Sequence, residues 1–155
     1  MSSGLLRSAR LSELYLHSPV DDLESFYYTM QRVAAYHRDS GTGEHKIDKL
    51  KAIIQGGLSG SVDDRFQASL AVHKIRPNDK EDVQKFGVFL TKIQPVLKEW
   101  YPLIFGLARS WRTVNDGIVD GDVVSRYYIR NALVFAYRGV ADYLKIVRKR
   151  RESLR

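Results

Sequence analysis

Apolar side chains in this chain recur at intervals of three and four residues, and no segment shows a clear period-two alternation. Only an α-helix brings positions at that spacing to one face, so the pattern restricts the fold to packed helices. Ser18-Pro19-Val20-Asp21 reads as a helix start: Ser18 caps, Pro19 suits the first helical position, and Asp21 sits where the helix dipole favours an acid. Leu23, Phe26, Tyr27, Met30, Val33 and Ala34 then mark one face, which runs out near His37 before a loop over 39–43.

A second helix is predicted over 44–55, with Ile47, Leu50, Ile53 and Ile54 inward and Gly56-Gly57 as its stop. Ser61 and Asp64 cap a third, which carries Phe66 and Leu70 and ends before Pro77. Asn78 or Asp79 opens a fourth, with Val83, Phe86, Leu90 and Ile93. Pro95 and Pro102 are expected to break or kink the next stretch of chain, although Leu97, Trp100, Leu103, Ile104 and Leu107 keep a helical rhythm. Turn signals occupy 115–122, and 117–124 has room at most for a small hairpin. A last long helix is predicted over 123–152. The fold class is therefore all-α, with about five to seven helices.

A length of 155 residues fits one domain and excludes a TIM barrel or a complete two-lobed kinase. The chain has no cysteine, which removes disulfides, thiolate nucleophiles and Cys-ligated zinc. No run is apolar enough for a membrane span, so an intracellular location, cytoplasmic or nuclear, is expected. The net charge is +7, but residues 145–155 hold six basic residues and one acid, a local +5. The remaining 144 residues carry 19 basic and 17 acidic side chains, a net of +2. The chain thus divides into a nearly neutral body, 1–144, and a basic helical tail, 145–155.

Several short patterns lack the residues their chemistry needs. His37-Arg38-Asp39 resembles a kinase catalytic loop, but Glu44 stands where that loop holds its metal-binding Asn. Gly41-Thr42-Gly43 has no strand before it, and Gly57-Leu58-Ser59-Gly60-Ser61 ends on Ser61 where a nucleophile elbow needs Gly. His17, His37, His45 and His73 show no HExxH spacing, and 115–122 lacks the ligand series of a calcium loop.

The most informative string is His17-Ser18-Pro19-Val20-Asp21-Asp22-Leu23-Glu24-Ser25-Phe26-Tyr27-Tyr28. It resembles the start of the central C-lobe helix, helix F, of protein kinases. The Asp-Leu-Glu-Ser-Phe wording is most similar to the fungal-type protein kinase family and also to casein kinase one. In that resemblance Asp22 takes the place of the helix F aspartate, which accepts backbone hydrogen bonds from the catalytic loop, and Ser25 follows at the family's spacing. Met1-Ser2-Ser3-Gly4-Leu5-Leu6 is similar to the end of the family's activation segment, with Gly4 where the family has the Glu of a buried ion pair. Residues 58–74 resemble the helix G region, with Gly57 in place of the usual Trp. The likeness is most specific over 18–30, extends over 1–74 and fades beyond. Helix-capping chemistry in an unrelated helical protein accounts for the same Asp-Asp-Leu-Glu-Ser string on its own.

The resemblance implies a fragment of a kinase C-lobe. A parent enzyme of that family transfers phosphate from ATP to Ser or Thr, but the glycine-rich lid, the strand lysine, the catalytic-loop Asp and Asn and the Asp-Phe-Gly metal site have no counterpart here. Phosphoryl transfer rests on positioning and electrostatic stabilisation of phosphate. No catalytic residue and no cofactor is therefore assigned to this chain alone, and it is not expected to be an enzyme. ATP and magnesium belong only to an upstream kinase portion, as they would if Met1 were an internal methionine of a longer gene. Loss of the covering catalytic loop implies that part of Leu23, Phe26, Tyr27 and Met30 lies open or gains a new cover. A protein partner, or self-association through that helix F face, is the expected consequence.

A second reading is a small helical interaction module. Lys145, Arg148, Lys149, Arg150, Arg151 and Arg155 form its candidate patch for an acidic partner. A helix dipole also favours cations at this end, and nucleic acid is a weaker alternative partner because no aromatics interleave the basic run. Tyr127, Tyr128, Tyr137 and Tyr143 fall at helical spacing and are expected in the core.

Overall fold

The computed structural model describes residues 18–37, 49–57, 60–115 and 126–154. Six helices stand among them: α1 (Pro19–Ala35), α2 (Lys49–Gly57), α3 (Val62–His73), α4 (Lys80–Phe86), α5 (Val88–Asn115) and α6 (Arg126–Leu154). No strand occurs among the described residues, so the all-α class holds.

Local chemistry explains where the helices begin. Ser18 Oγ accepts from the Val20 amide at 3.1 Å, and the Ser18 amide donates to Asp21 Oδ2 at 3.4 Å, closing a capping box. The same device starts α3, where the Ser61 amide donates to Asp64 Oδ2 at 2.8 Å and the Asp64 amide donates to Ser61 Oγ at 3.3 Å. The hydroxyl and amide of Ser61 hold the Asp64 carboxyl below its ordinary value. Asp79 caps α4 by accepting from the Glu81 and Asp82 amides at 2.9 and 3.3 Å.

Two expectations about helix ends are corrected. The predicted helix through Val83, Phe86, Leu90 and Ile93 is two helices, divided at Gly87. That residue has φ 85° and ψ 158°, a conformation that side-chain-bearing residues rarely adopt. Conversely, α5 continues through both Pro95 and Pro102. An interior proline costs roughly 3 kcal/mol. The two are seven positions apart and share one, less buried side of α5, while Val96, Leu97, Trp100 and Ile104 are buried on the other. Burial of that apolar face outweighs the two missing amides. Helix α2 ends at Gly57, two residues beyond the predicted 55; a Cβ at Gly57 would meet the Asp64 carbonyl oxygen and the Ala68 Cβ, so the glycine permits close approach of α2 to α3.

Helix α5 is the spine. Helices α1, α3, α4 and α6 all pack against it, α1 also packs on α6, and α2 packs chiefly on α3. The main core gathers Tyr27, Ala34, Ile54, Val72, Phe86, Leu97 and Trp100. Trp100, 1% exposed, has Phe26, Tyr27 and Tyr143 around it at ring separations of 5.8, 5.7 and 4.6 Å. A second cluster joins Val20, Leu107, Trp111 and Phe135, with Tyr128 against Trp111 at 5.4 Å. Gly139 lets α6 approach closely, since a Cβ there would clash with Leu23 Cδ1.

Phe66 does not enter the core: α3 buries Ala68, Ser69, Ala71 and Val72 instead. Ile53 and Val33 are likewise exposed. Gln31 is fully buried, and its side-chain carbonyl accepts from Ser69 Oγ at 3.1 Å, which ties α1 to α3.

Candidate functional site

The capping box that starts α1 also orients its first turns. Val20 and Tyr27 are buried, which sets Asp22 and Ser25 on the exposed side. The Ser25 backbone carbonyl accepts from Thr29 Oγ1 at 2.8 Å. The apolar set of this helix divides. Tyr27 is buried and Leu23 and Met30 are partly buried against the core, while Phe26 remains 47% exposed at its rim, edge-on to Trp100 and Tyr143. Helices α5 and α6 supply the cover over the rest.

Beside this turn lies a cleft of about 430 Å³ between α1, α3 and α5. Its apolar lining includes Phe66, Ile104 and Phe105, and Glu24, Asp63, Arg109 and Arg112 supply its charges. Burial, and then the charge of Asp21, push the Glu24 carboxyl above its ordinary 4.5, while Arg112 and Arg65 oppose the rise. Arg65 also lies over the Tyr28 ring at 5.8 Å. Carboxylate and guanidinium groups beside aromatic rings offer binding chemistry, and Thr113 adds a hydroxyl to the lining. None of Phe66, Phe105, Arg109 or Arg112 was singled out from the sequence as a site residue. Their meeting depends on how α3 crosses α5, and no local motif encodes it.

A shallower hollow of about 490 Å³ lies at residues 73–79, against Gln94 and Lys98. Arg76 there already pairs with Asp79 at 3.1 Å and Asp82 at 3.2 Å. Burial would raise the Asp82 carboxyl, but the side-chain and amide bonds from Arg76 outweigh it and hold the group below its ordinary value. Burial, with Lys98 nearby, lowers the His73 imidazole from 6.5.

The basic end of α6 is not a uniform patch. Arg150 and Lys149 both reach Glu99 on α5, Lys149 Nζ at 3.2 Å. These two cations, Arg150 first, hold the Glu99 carboxyl below its ordinary value against a smaller opposing effect of burial. Lys145 lies 3.9 Å from Asp142, and Arg148 and Arg151 are exposed. Ile146 between them is buried, so α6 passes through position 145 as a packed helix without a break. Arg155 and residues 1–17 lie outside the described residues, as does the 117–124 segment.

No group of three or more His, Cys, Asp or Glu side chains among the described residues is arranged to hold a metal ion. No helix among them is long and apolar enough to cross a membrane. Comparison with protein-family models, curated proteins and solved structures gives no match to this chain.

Proposed function

We propose that this chain is the lower helical part of a fungal-type kinase C-lobe, and that alone it acts as a docking body and not as a phosphotransferase. The observation that supports this reading is the start of α1. There the Ser18–Asp21 capping box presents Asp22 and Ser25 outward on the first turns of a helix whose other face is buried against α5 and α6. An exposed carboxylate at a helix start is suited to accept backbone N–H groups of an added segment. The 155 residues carry no glycine-rich lid and no Asp-Phe-Gly triplet, so ATP and magnesium would be held by a portion outside this chain.

The test is a pair of measurements on the purified chain. Incubated with magnesium-ATP and a Ser/Thr peptide, it is expected to transfer no phosphate. Mixed with a fungal-type kinase portion running from the N-lobe through the activation segment, it is expected to associate, and Asp22→Asn is expected to weaken that association about tenfold or more, roughly 1.4 kcal/mol. Transfer by the chain alone, or association indifferent to Asp22→Asn, overturns the proposal.

The second reading, an interaction module with a basic end for an acidic partner, is favoured by the exposure of Lys145, Arg148 and Arg151 while Lys149 and Arg150 are held by Glu99.

A further inference from the structure

Helix α6 is apolar on two opposite sides. Its inner side places Phe135, Gly139 and Ile146 against α1 and α5. Its outer side carries Ile129, Leu133, Tyr137, Val140 and Leu144, which are 56, 56, 77, 46 and 44% exposed. The intervals between these five are four, four, three and four residues, the spacing of a helix–helix seam. At a rise of about 1.5 Å per residue the stripe is about 22 Å long, four turns of a partner helix. Tyr137, expected in the core from its spacing, is instead the most exposed of the five.

Charge selects the occupant. Helix α6 contains eight basic residues and two acids, a net of +6. Arg130, Arg138, Lys145 and Arg148 are all exposed and follow one edge of the stripe at helical spacing. Asp142 is already beside Lys145, and Glu152 lies beyond the end of the apolar run. A second copy docked on this stripe would set cations against cations in either orientation, which opposes self-association through it. We infer that the outer face of α6 docks an amphipathic helix of a partner protein whose apolar stripe is flanked by Asp and Glu. This rests on the interaction-module reading for the sign of the partner's charge, and adds the apolar seam and the helical form. It is independent of the kinase reading.

The probe is a dye-labelled amphipathic peptide of about 16 residues, with Leu at the seam positions and Glu at the flanks. Fluorescence anisotropy with the full chain is expected to show saturable binding that weakens at high salt. The same peptide with Lys in place of each Glu is expected to bind about tenfold more weakly or worse. Leu133→Lys is expected to abolish binding. Arg138→Glu combined with Lys145→Glu is expected to reverse the preference toward the Lys peptide. Circular dichroism and Tm of each variant should match the parent chain, because these side chains are exposed. Equal affinity for the two peptides, or binding unaffected by Leu133→Lys, overturns the inference. So does a dimer of the chain that Leu133→Lys dissociates, or tighter capture by phosphatidylserine vesicles than by the Glu peptide. A poly-Glu peptide separates the two readings: if it binds while the amphipathic peptide gains nothing from its Leu stripe, the basic-end reading stands and the seam fails.

Discussion

The two sides of α6 have similar apolar content and opposite roles. On the inner side, Phe135 lies 5.3 Å from Trp111, and Tyr143 lies 4.6 Å from Trp100. On the outer side, Leu133 and Tyr137 are more than half exposed. Hydropathy alone does not distinguish them. The inner side contains Gly139, where a Cβ would run into Leu23 Cδ1, so the glycine lets α6 lie close to the Leu23 side chain of α1. Which apolar stripe becomes core thus depends on the neighbours that pack against it.

The largest test of this contrast is Trp100→Ala. Removing a fully buried indole with three aromatic neighbours is expected to cost about 3–5 kcal/mol, read as a lowered denaturation midpoint. An unchanged midpoint would mean that the inner side of α6 is not held by this aromatic cluster.

The link between α6 and α5 at Glu99 is expected to be smaller and pH-dependent. The folded-state Glu99 carboxyl lies below its ordinary 4.5, so its contribution is present above that pH and lost as pH falls through the lowered value. Glu99→Gln is expected to cost under about 1 kcal/mol at neutral pH, because the group is partly solvated, and nothing in acid. Denaturation at both pH values checks this, and a pH-independent difference would rule out the ion pair as the cause.

The smallest effect is expected on the outer side. Tyr137→Ser should change stability by no more than about 0.5 kcal/mol while weakening any partner held on the seam. A large loss of stability would show that this face is covered within the chain and is not a docking surface.

The helix starts were legible because their causes are local. Ser18 with Asp21, Ser61 with Asp64, and Asp79 each lie within three residues of the amides they satisfy. Asp22 and Ser25 came only from the resemblance to a kinase helix; their exposed placement follows from the burial of Val20 and Tyr27 on the other side of α1. The continuity of α5 through Pro95 and Pro102 was not legible because local propensity knows nothing of Trp100 and Ile104 burying on the opposite side. Tyr137 was misread because periodicity finds a stripe without saying what faces it.

By itself, then, the sequence determined an all-helical chain, its capped starts, a cysteine-free composition and a charge concentrated at one end. The tertiary structure alone decided that Glu99 takes up Lys149 and Arg150 from some fifty residues away, that α3 and α5 frame the Glu24 cleft, and which of two apolar sides of α6 is buried. The reason is physical. Capping and helical rhythm act within a turn or two, whereas burial and ion pairing depend on surfaces that meet only after the helices have packed.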